Sequence, residues 1–181
     1  HSIDVRKWAS FVDEHPCGNI FQTPDIVKVY QEHPMVEPVV IMAMNDSEEP
    51  VGLMAAFIQY QYRGSIGKLT SRAIVWGGPL IRGVNPQICE SLLKIYEQVV
   101  GKKAIYTEFR NLWDTSDYKN CFSSLQYRYV EHLNILVDLS VSEEQLWKNL
   151  HSKRRNEIRK ANKNHLDFKL GHDSNELKES Y

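Results

Sequence analysis

Two apolar runs joined by a short polar turn limit what this chain can fold into. Val39-Val40-Ile41-Met42-Ala43-Met44 is continuously apolar, the pattern of a strand covered on both faces. Asn45-Asp46-Ser47-Glu48-Glu49-Pro50 reads as a turn, and residues 51–60 return as a second strand. Arg63-Gly64-Ser65 marks the next turn and residues 66–75 a third strand, so the centre of the chain reads as an antiparallel meander. Trp76-Gly77-Gly78-Pro79-Leu80 then breaks the pattern. Two glycines before a proline signal a close backbone approach or a positive φ rather than regular strand.

Helical patterns flank the meander. Residues 4–14 place Val5, Trp8, Ala9 and Val12 at helical spacing, and His15-Pro16-Cys17-Gly18-Asn19 ends that helix. Thr23-Pro24 opens a second helix that stops before Pro34, with Ile26, Val27 and Tyr30 on its buried side. Asn85-Pro86 begins a third, through Val100, with Ile88, Leu92, Ile95 and Val99 as its stripe and Gly101 as a cap. Residues 104–109 read as a strand and 115–124 as a short helix. Residues 127–139 read as the longest strand, Leu133, Ile135, Val137 and Leu139 alternating with His132, Asn134, Leu136 and Asp138. Ser140 or Ser142 then caps a long helix, with Glu143 or Gln145 in the capping-box position, and residues 166–170 make one more short strand. This order is that of an α+β domain, a mostly antiparallel sheet flanked by helices.

Charge narrows the function classes. The chain of 181 residues has a net charge of −1, which argues against a general nucleic-acid coat or a polycationic membrane binder. No apolar run is long enough to span a bilayer. The three cysteines are far apart and contain no CxxC, so they read as buried or free thiols. The scattered histidines form no HExxH or HxH, and no metal is assigned. The charge is nevertheless uneven: residues 1–150 sum to −4 and residues 151–181 to +3.

The positive end is concentrated in Lys153-Arg154-Arg155-Asn156-Glu157-Ile158-Arg159-Lys160-Ala161-Asn162-Lys163. On a helix, Trp147, Leu150, Ile158, Ala161 and His165 fall on one stripe, and Arg154 lies within it. Arg155, Arg159 and Lys163 share one flank, Lys153 and Lys160 the other. A guanidinium on the apolar side needs a carboxylate, a phosphate or carbonyls. Two further stretches bear on chemistry. Gln61-Tyr62-Arg63-Gly64-Ser65-Ile66-Gly67 superficially resembles the acetyl-CoA pyrophosphate loop of Gcn5-related acetyltransferases, Q/R-x-x-G-x-G/A. It joins two strands, however, where that loop opens a helix, and so reads as a hairpin turn. Glu108-Phe109-Arg110-Asn111 closes a strand with three polar groups, followed by Trp113-Asp114, and reads either as a cleft wall or as a cross-strand pair of Glu108 with Arg110. No catalytic triad can be argued from spacing, so the catalytic residues stay unassigned.

Four stretches together resemble the Fem family, the peptidoglycan interpeptide-bridge aminoacyltransferases and their relatives. These are Phe21-Gln22-Thr23-Pro24-Asp25-Ile26-Val27-Lys28-Val29-Tyr30, the Gly-Pro segment Ser71-Arg72-Ala73-Ile74-Val75-Trp76-Gly77-Gly78-Pro79, the strand pattern from Tyr127 to Leu139, and Lys153-Arg154-Arg155-Asn156-Glu157-Ile158-Arg159-Lys160-Ala161. The last is similar to the family's RxNIRKA signature. The resemblance implies a first acetyltransferase-like (Gcn5-related) domain over residues 1–171. Residues 172–181, whose Asp173 or Ser174 can cap a helix, would lead into a second domain that this chain lacks. It also implies transfer of an aminoacyl or acyl group onto an amine of a cell-wall precursor or polysaccharide. The donor would be aminoacyl-tRNA or acyl-CoA, with no further cofactor. The setting would be cytoplasmic, peripheral to the inner membrane face. Lys28 is then the candidate contact for the precursor's pyrophosphate, a point charge suited to phosphate. Arg72, Arg154, Arg155 and Arg159 complete the candidate substrate-binding set. The alternative is a non-catalytic binding domain of the same fold that contacts an anionic partner through its basic helix.

Overall fold

The computed structural model describes residues 3–166, apart from 63, 65, 134 and 136. These fall into two compact units divided between Leu133 and Asn134. In the first unit, α1 (Val5–Glu14) is capped by Asp4, whose carboxylate accepts from the Arg6 and Lys7 amides. A single 3-10 turn, Ile20–Gln22, leads to α2 (Pro24–Glu32), capped by Thr23 with Pro24 at the first helical position. The strands are β1 (Val36–Met44), β2 (Pro50–Tyr60), β3 (Ser71–Trp76), β4 (Leu80–Ile81) and β5 (Tyr106–Arg110). Helix α3 (Pro86–Val100) lies between β4 and β5, and α4 (Lys119–Ser124) follows β5. The sheet order is β1-β2-β3-β5, with β4 also paired to β2; β3 and β5 are parallel and all other pairs antiparallel.

The expected meander and mostly antiparallel sheet are therefore present. Alternation along the strands defines two faces. Leu53, Ala55 and Phe57 of β2 meet Trp8, Phe11, Val12 and Val27 of α1 and α2 on one face. Met54, Ala56 and Ile58 meet Tyr96 and Val100 of α3 on the other. Strand β1 is apolar on both faces because both helical layers reach it; as an edge strand it tolerates Pro38.

The sheet is interrupted where β3 leaves β2 after Ile74 and β4 rejoins it at Leu80. The buried amide of Gln22 fills that gap. Its Nε2 donates to the Ala55 and Trp76 carbonyls at 3.2 and 2.7 Å, and its Oε1 accepts from the Ala55 amide at 2.7 Å. The side chain thus stands in for a missing strand's backbone. The glycines allow it: a Cβ on Gly78 would lie 2.9 Å from the Gln22 side chain, and Gly77 has φ +54° with Asn19 packed against it. The Gly78-Pro79 peptide is cis.

Five expectations need correction. The third strand begins at Ser71 rather than residue 66, since Gly67–Thr70 form a 3-10 turn. In α1 the buried face is Trp8, Phe11 and Val12, while Val5 and Ala9 are exposed. The buried stripe of α3 is Cys89, Leu92, Leu93, Tyr96 and Val100, rotated from the predicted one; Ile95 and Val99 face out because the sheet and α4 contact the neighbouring side of the helix. Residues 127–139 form no strand among those described. Their alternating side chains find no ladder partner, and Leu133 and Ile135 are 94% and 93% exposed. Alternation records a capacity to pair, whereas a strand also needs a neighbour.

The fifth concerns the second unit. The expected single helix is two: α5 (Glu143–Asn149), capped by Ser142, and α6 (Ser152–Lys163), capped by His151. Leu150 is extended at φ −65°, ψ 135°, so Trp147 and Leu150 do not continue the stripe of Ile158 and Ala161. The helix expected from Asp173 and residues 167–170 of the last predicted strand lie outside the described residues. No described helix is long and apolar enough to cross a membrane.

Replacing Gln22 by Leu should strand three buried backbone groups and lower stability by about 3 kcal/mol or more. Urea unfolding measures this; Gln145→Leu on exposed α5 serves as the control, with a change within about 0.5 kcal/mol.

Candidate functional site

The parallel register places Tyr106 beside Arg72, Glu108 beside Ile74 and Arg110 beside Trp76. Antiparallel pairing puts Gln59 beside Arg72. All six of these polar and aromatic side chains therefore emerge on the α1/α2 face of the sheet. On β2 that face is apolar and sealed by the helices. Across β3 and β5 it turns polar and stays partly open, with Tyr106 53% exposed.

The set runs along the parallel strands, with Arg72 and Tyr106 near their amino ends and Trp76 and Arg110 at their carboxyl ends. Arg110 donates to Glu108 Oε2 at 2.9 Å, a pair within one strand rather than across strands. Its guanidinium lies 4.4 Å from the Trp76 ring centroid. Phe21 stacks on the far-reaching indole at 5.3 Å and 25°. The Gly77 amide donates to the Arg110 carbonyl at 2.9 Å, fixing this end of the pair. Arg72 Nε donates to Gln59 Oε1 at 3.0 Å. The hydrogen bond from Arg110 holds the Glu108 carboxyl below its ordinary value of 4.5, helped by the charges of Arg110 and Arg72. Two guanidiniums and one carboxylate leave the patch with a net positive charge. It can hold a phosphate or carboxylate through arginine, and Glu108 can accept from an N–H donor. A carboxylate with a lowered pKa is a poor proton acceptor, so its role is orientation.

The predicted site residues are distributed unevenly. Arg72 belongs to this patch. Lys28 lies on the exposed side of α2, its Nζ 4.0 Å from Asp25. Arg154, Arg155 and Arg159 lie on α6 in the second unit. Arg154 is not turned inward: its side chain is 70% exposed and pairs with Glu157 at 2.7 Å, one turn along the same helix. The break at Leu150 removed the apolar stripe that would have drawn it in. Arg155 donates to the Lys148 carbonyl at 3.1 Å and the Trp147 carbonyl at 3.5 Å, satisfying the end of α5. Arg159 lies over the Trp147 ring at 5.5 Å. Both thus brace α5 against α6. Arg110, Trp76 and Phe21 were missed as site residues. The strand-end cluster of Glu108, Arg110 and Asn111 was visible in the sequence, but the partner strand was not.

The start of α3 is where a helix could receive a donor's pyrophosphate, and its amides are already used. Pro86 has no N–H; Gln87 and Ile88 donate to Asn85 Oδ1 at 3.1 and 3.2 Å; Cys89 donates to the Asn85 carbonyl at 3.2 Å. These residues do not fit a coenzyme A pyrophosphate as they stand. The glycine-containing segment 61–67 joins β2 to β3, as a hairpin connection should, and does not open α3. A further polar cluster, Lys103–Glu37–Tyr60, borders a shallow cavity of about 510 Å³. Glu37 accepts from Lys103 at 2.5 Å and Tyr60 at 2.7 Å, and burial with the Glu37 charge pushes the Tyr60 hydroxyl up to about 12. Its charges are mutually satisfied, which suits a structural role.

No protein-family model matches the chain, and no curated protein matches it. Solved structures do. An acetyltransferase from Trypanosoma brucei superposes with a TM-score of 0.52 at 11% identity, covering 77% of this chain and 97% of that one. A transcriptional regulator from Bacillus halodurans C-125 superposes with a TM-score of 0.50 at 16% identity, covering 76% and 97%. The chain has the acetyltransferase-like (Gcn5-related) fold.

The Glu108 carboxyl should titrate below 4.5, and Arg110→Ala should move its midpoint upward, as read by carboxyl-carbon NMR. A lowered folded pKa stabilises the fold above the unfolded pKa. That modest contribution should vanish as pH falls through the folded value.

Proposed function

We propose that this chain is the first domain of an N-acyltransferase that moves an acyl or aminoacyl group onto an amine of a cell-wall precursor or polysaccharide, in the manner of the Fem family it resembles. The observation that carries the reading is the Arg72–Glu108–Arg110 patch on the partly open face of the parallel strands of an acetyltransferase-like fold, with Arg110 backed by Trp76 and Phe21 at their carboxyl ends. Open α/β sheets favour ligands at that end. The acceptor's neutral amine attacks the carbonyl carbon of an activated ester or thioester. The tetrahedral intermediate then expels the alcohol or thiol carrier. The protein's share is orientation and charge stabilisation. Glu108 accepts from the amine N–H, while Arg72 and Arg110 hold an anionic part of the acceptor. Lys28 supplies a further charge for a pyrophosphate. Aminoacyl-tRNA or an acyl-CoA can serve as carrier; with the α3 amides occupied, no step is routed through a coenzyme A pyrophosphate. A second domain of the same polypeptide would complete the pocket, and lipid-linked acceptors would place the reaction at the cytoplasmic membrane face.

The test is transfer of label from aminoacyl-tRNA or acyl-CoA to muropeptide and amino-sugar acceptors. One donor–acceptor pair should turn over, and Arg110→Ala or Glu108→Gln should lower kcat/KM about tenfold or more at unchanged melting temperature. Absence of transfer from either donor to every acceptor removes the proposal.

One observation favours a second, non-catalytic reading. Among the described residues, Lys153, Lys160 and Lys163 of α6 are exposed and make no ion pair. Such a helix would hold a polyanion. Affinity should then fall steeply with salt and be lost in Lys153→Glu/Lys160→Glu. Binding indifferent to both excludes it.

A further inference from the structure

Cys89 and Cys121 are remote in sequence but meet in one buried cluster with Ile81, Leu92 and Leu93. The Cys121 thiol donates to the Pro86 carbonyl at 3.5 Å, which sets it over the first turn of α3, the turn that carries Cys89. Cys17 packs with the α1/α2 cluster on the opposite face of the sheet and cannot compete for either. Helix α4, which carries Cys121, has only six residues and no side-chain cap at its start, so it opens at lower cost than α3.

We propose that Cys89 and Cys121 form an oxidisable dithiol, converted by a peroxide into a disulfide that ties α4 to the first turn of α3. Cys121, at the cluster's edge with 9% exposure, reacts first; Cys89 is wholly buried. Burial and the neighbouring Cys121 push the Cys89 thiol up to about 12, which disfavours it as the first attacker. The Cys121 thiolate attacks one peroxide oxygen, the O–O bond breaks, and the departing oxygen takes up the thiol proton as water, leaving a sulfenic acid. The Cys89 sulfur then attacks the sulfenic sulfur. The S–O bond breaks, S–S forms, and the hydroxyl leaves with the Cys89 proton as a second water. Two thiols thus lose two electrons and two protons, and one peroxide becomes two waters. The bond anchors the turn that holds Asn85, and so the loop leading into α3. None of this depends on the proposed acyl transfer.

The experiment treats the native protein with hydrogen peroxide, then denatures, alkylates and digests it for mass spectrometry. The expected product is a cross-linked peptide pair joining Cys89 to Cys121, two hydrogens lighter than the free thiols, with Cys17 still alkylated; dithiothreitol restores both thiols. Oxidised protein should also melt about 5 °C or more above the reduced form, because a long loop is closed. Recovery of Cys89 and Cys121 fully alkylated, over-oxidation of Cys121 without a cross-link, or a bridge through Cys17 overturns the proposal. Cys17→Ser, which leaves the pair intact, should retain the cross-link. The wild-type mass decides the matter even if Cys89→Ser fails to fold.

Discussion

The first unit depends on the buried amide of Gln22. Its donors and acceptor close a gap in the sheet that β3 opens when it parts from β2 after Ile74. Without it, two carbonyls and an amide would face an apolar interior with no partner, at a cost comparable to a large part of a domain's net stability. The Trp8 indole adds a clamp by donating to the Gln22 carbonyl at 2.7 Å, so α1 is fixed to the same point. The glycines at 77 and 78 follow from the crowding at this point: the Gln22 side chain occupies the space a Cβ on Gly78 would need, and Asn19 that of Gly77, whose φ is +54°.

That local closure also shapes the candidate site. Trp76 is the last residue of β3, and its carbonyl is held by Gln22 while its ring is stacked by Phe21, the residue before Gln22. Arg110 also lies over this ring and pairs with Glu108. Packing and charge are coupled here. A rigid aromatic base restricts a guanidinium that would otherwise wander, and a fixed guanidinium holds the carboxylate ionised. The pair is partly exposed, so its worth to stability is small and its orientation matters more.

The second unit shows how a basic run loses part of its reach. Of three predicted substrate arginines on α6, one bonds to the carbonyls that end α5 and another lies on Trp147. The third forms an ion pair one turn away. Sequence spacing placed Arg154 on an apolar stripe only by assuming one unbroken helix. The extended Leu150 ends that assumption, since a stripe survives only while helical phase does.

The sequence by itself determined the elements with local chemical signals. Asp4, Thr23-Pro24, Asn85-Pro86 and Ser142 start helices because their side chains bond the first free amides or lack one. The apolar runs at 39–44 and 51–60 pair because the turn between them is short. The resemblance pointed to the acetyltransferase-like fold that the superposed structures bear out. Tertiary structure alone decided the parallel meeting of β3 and β5, and with it the patch of Arg72, Glu108, Arg110 and Trp76. It also decided which side of α3 is buried, the meeting of Cys89 with Cys121, and the fate of residues 127–139. The reason is the same in each case: periodicity tells which face a residue shares with its own neighbours, but burial and pairing are set by whichever distant segment arrives against that face.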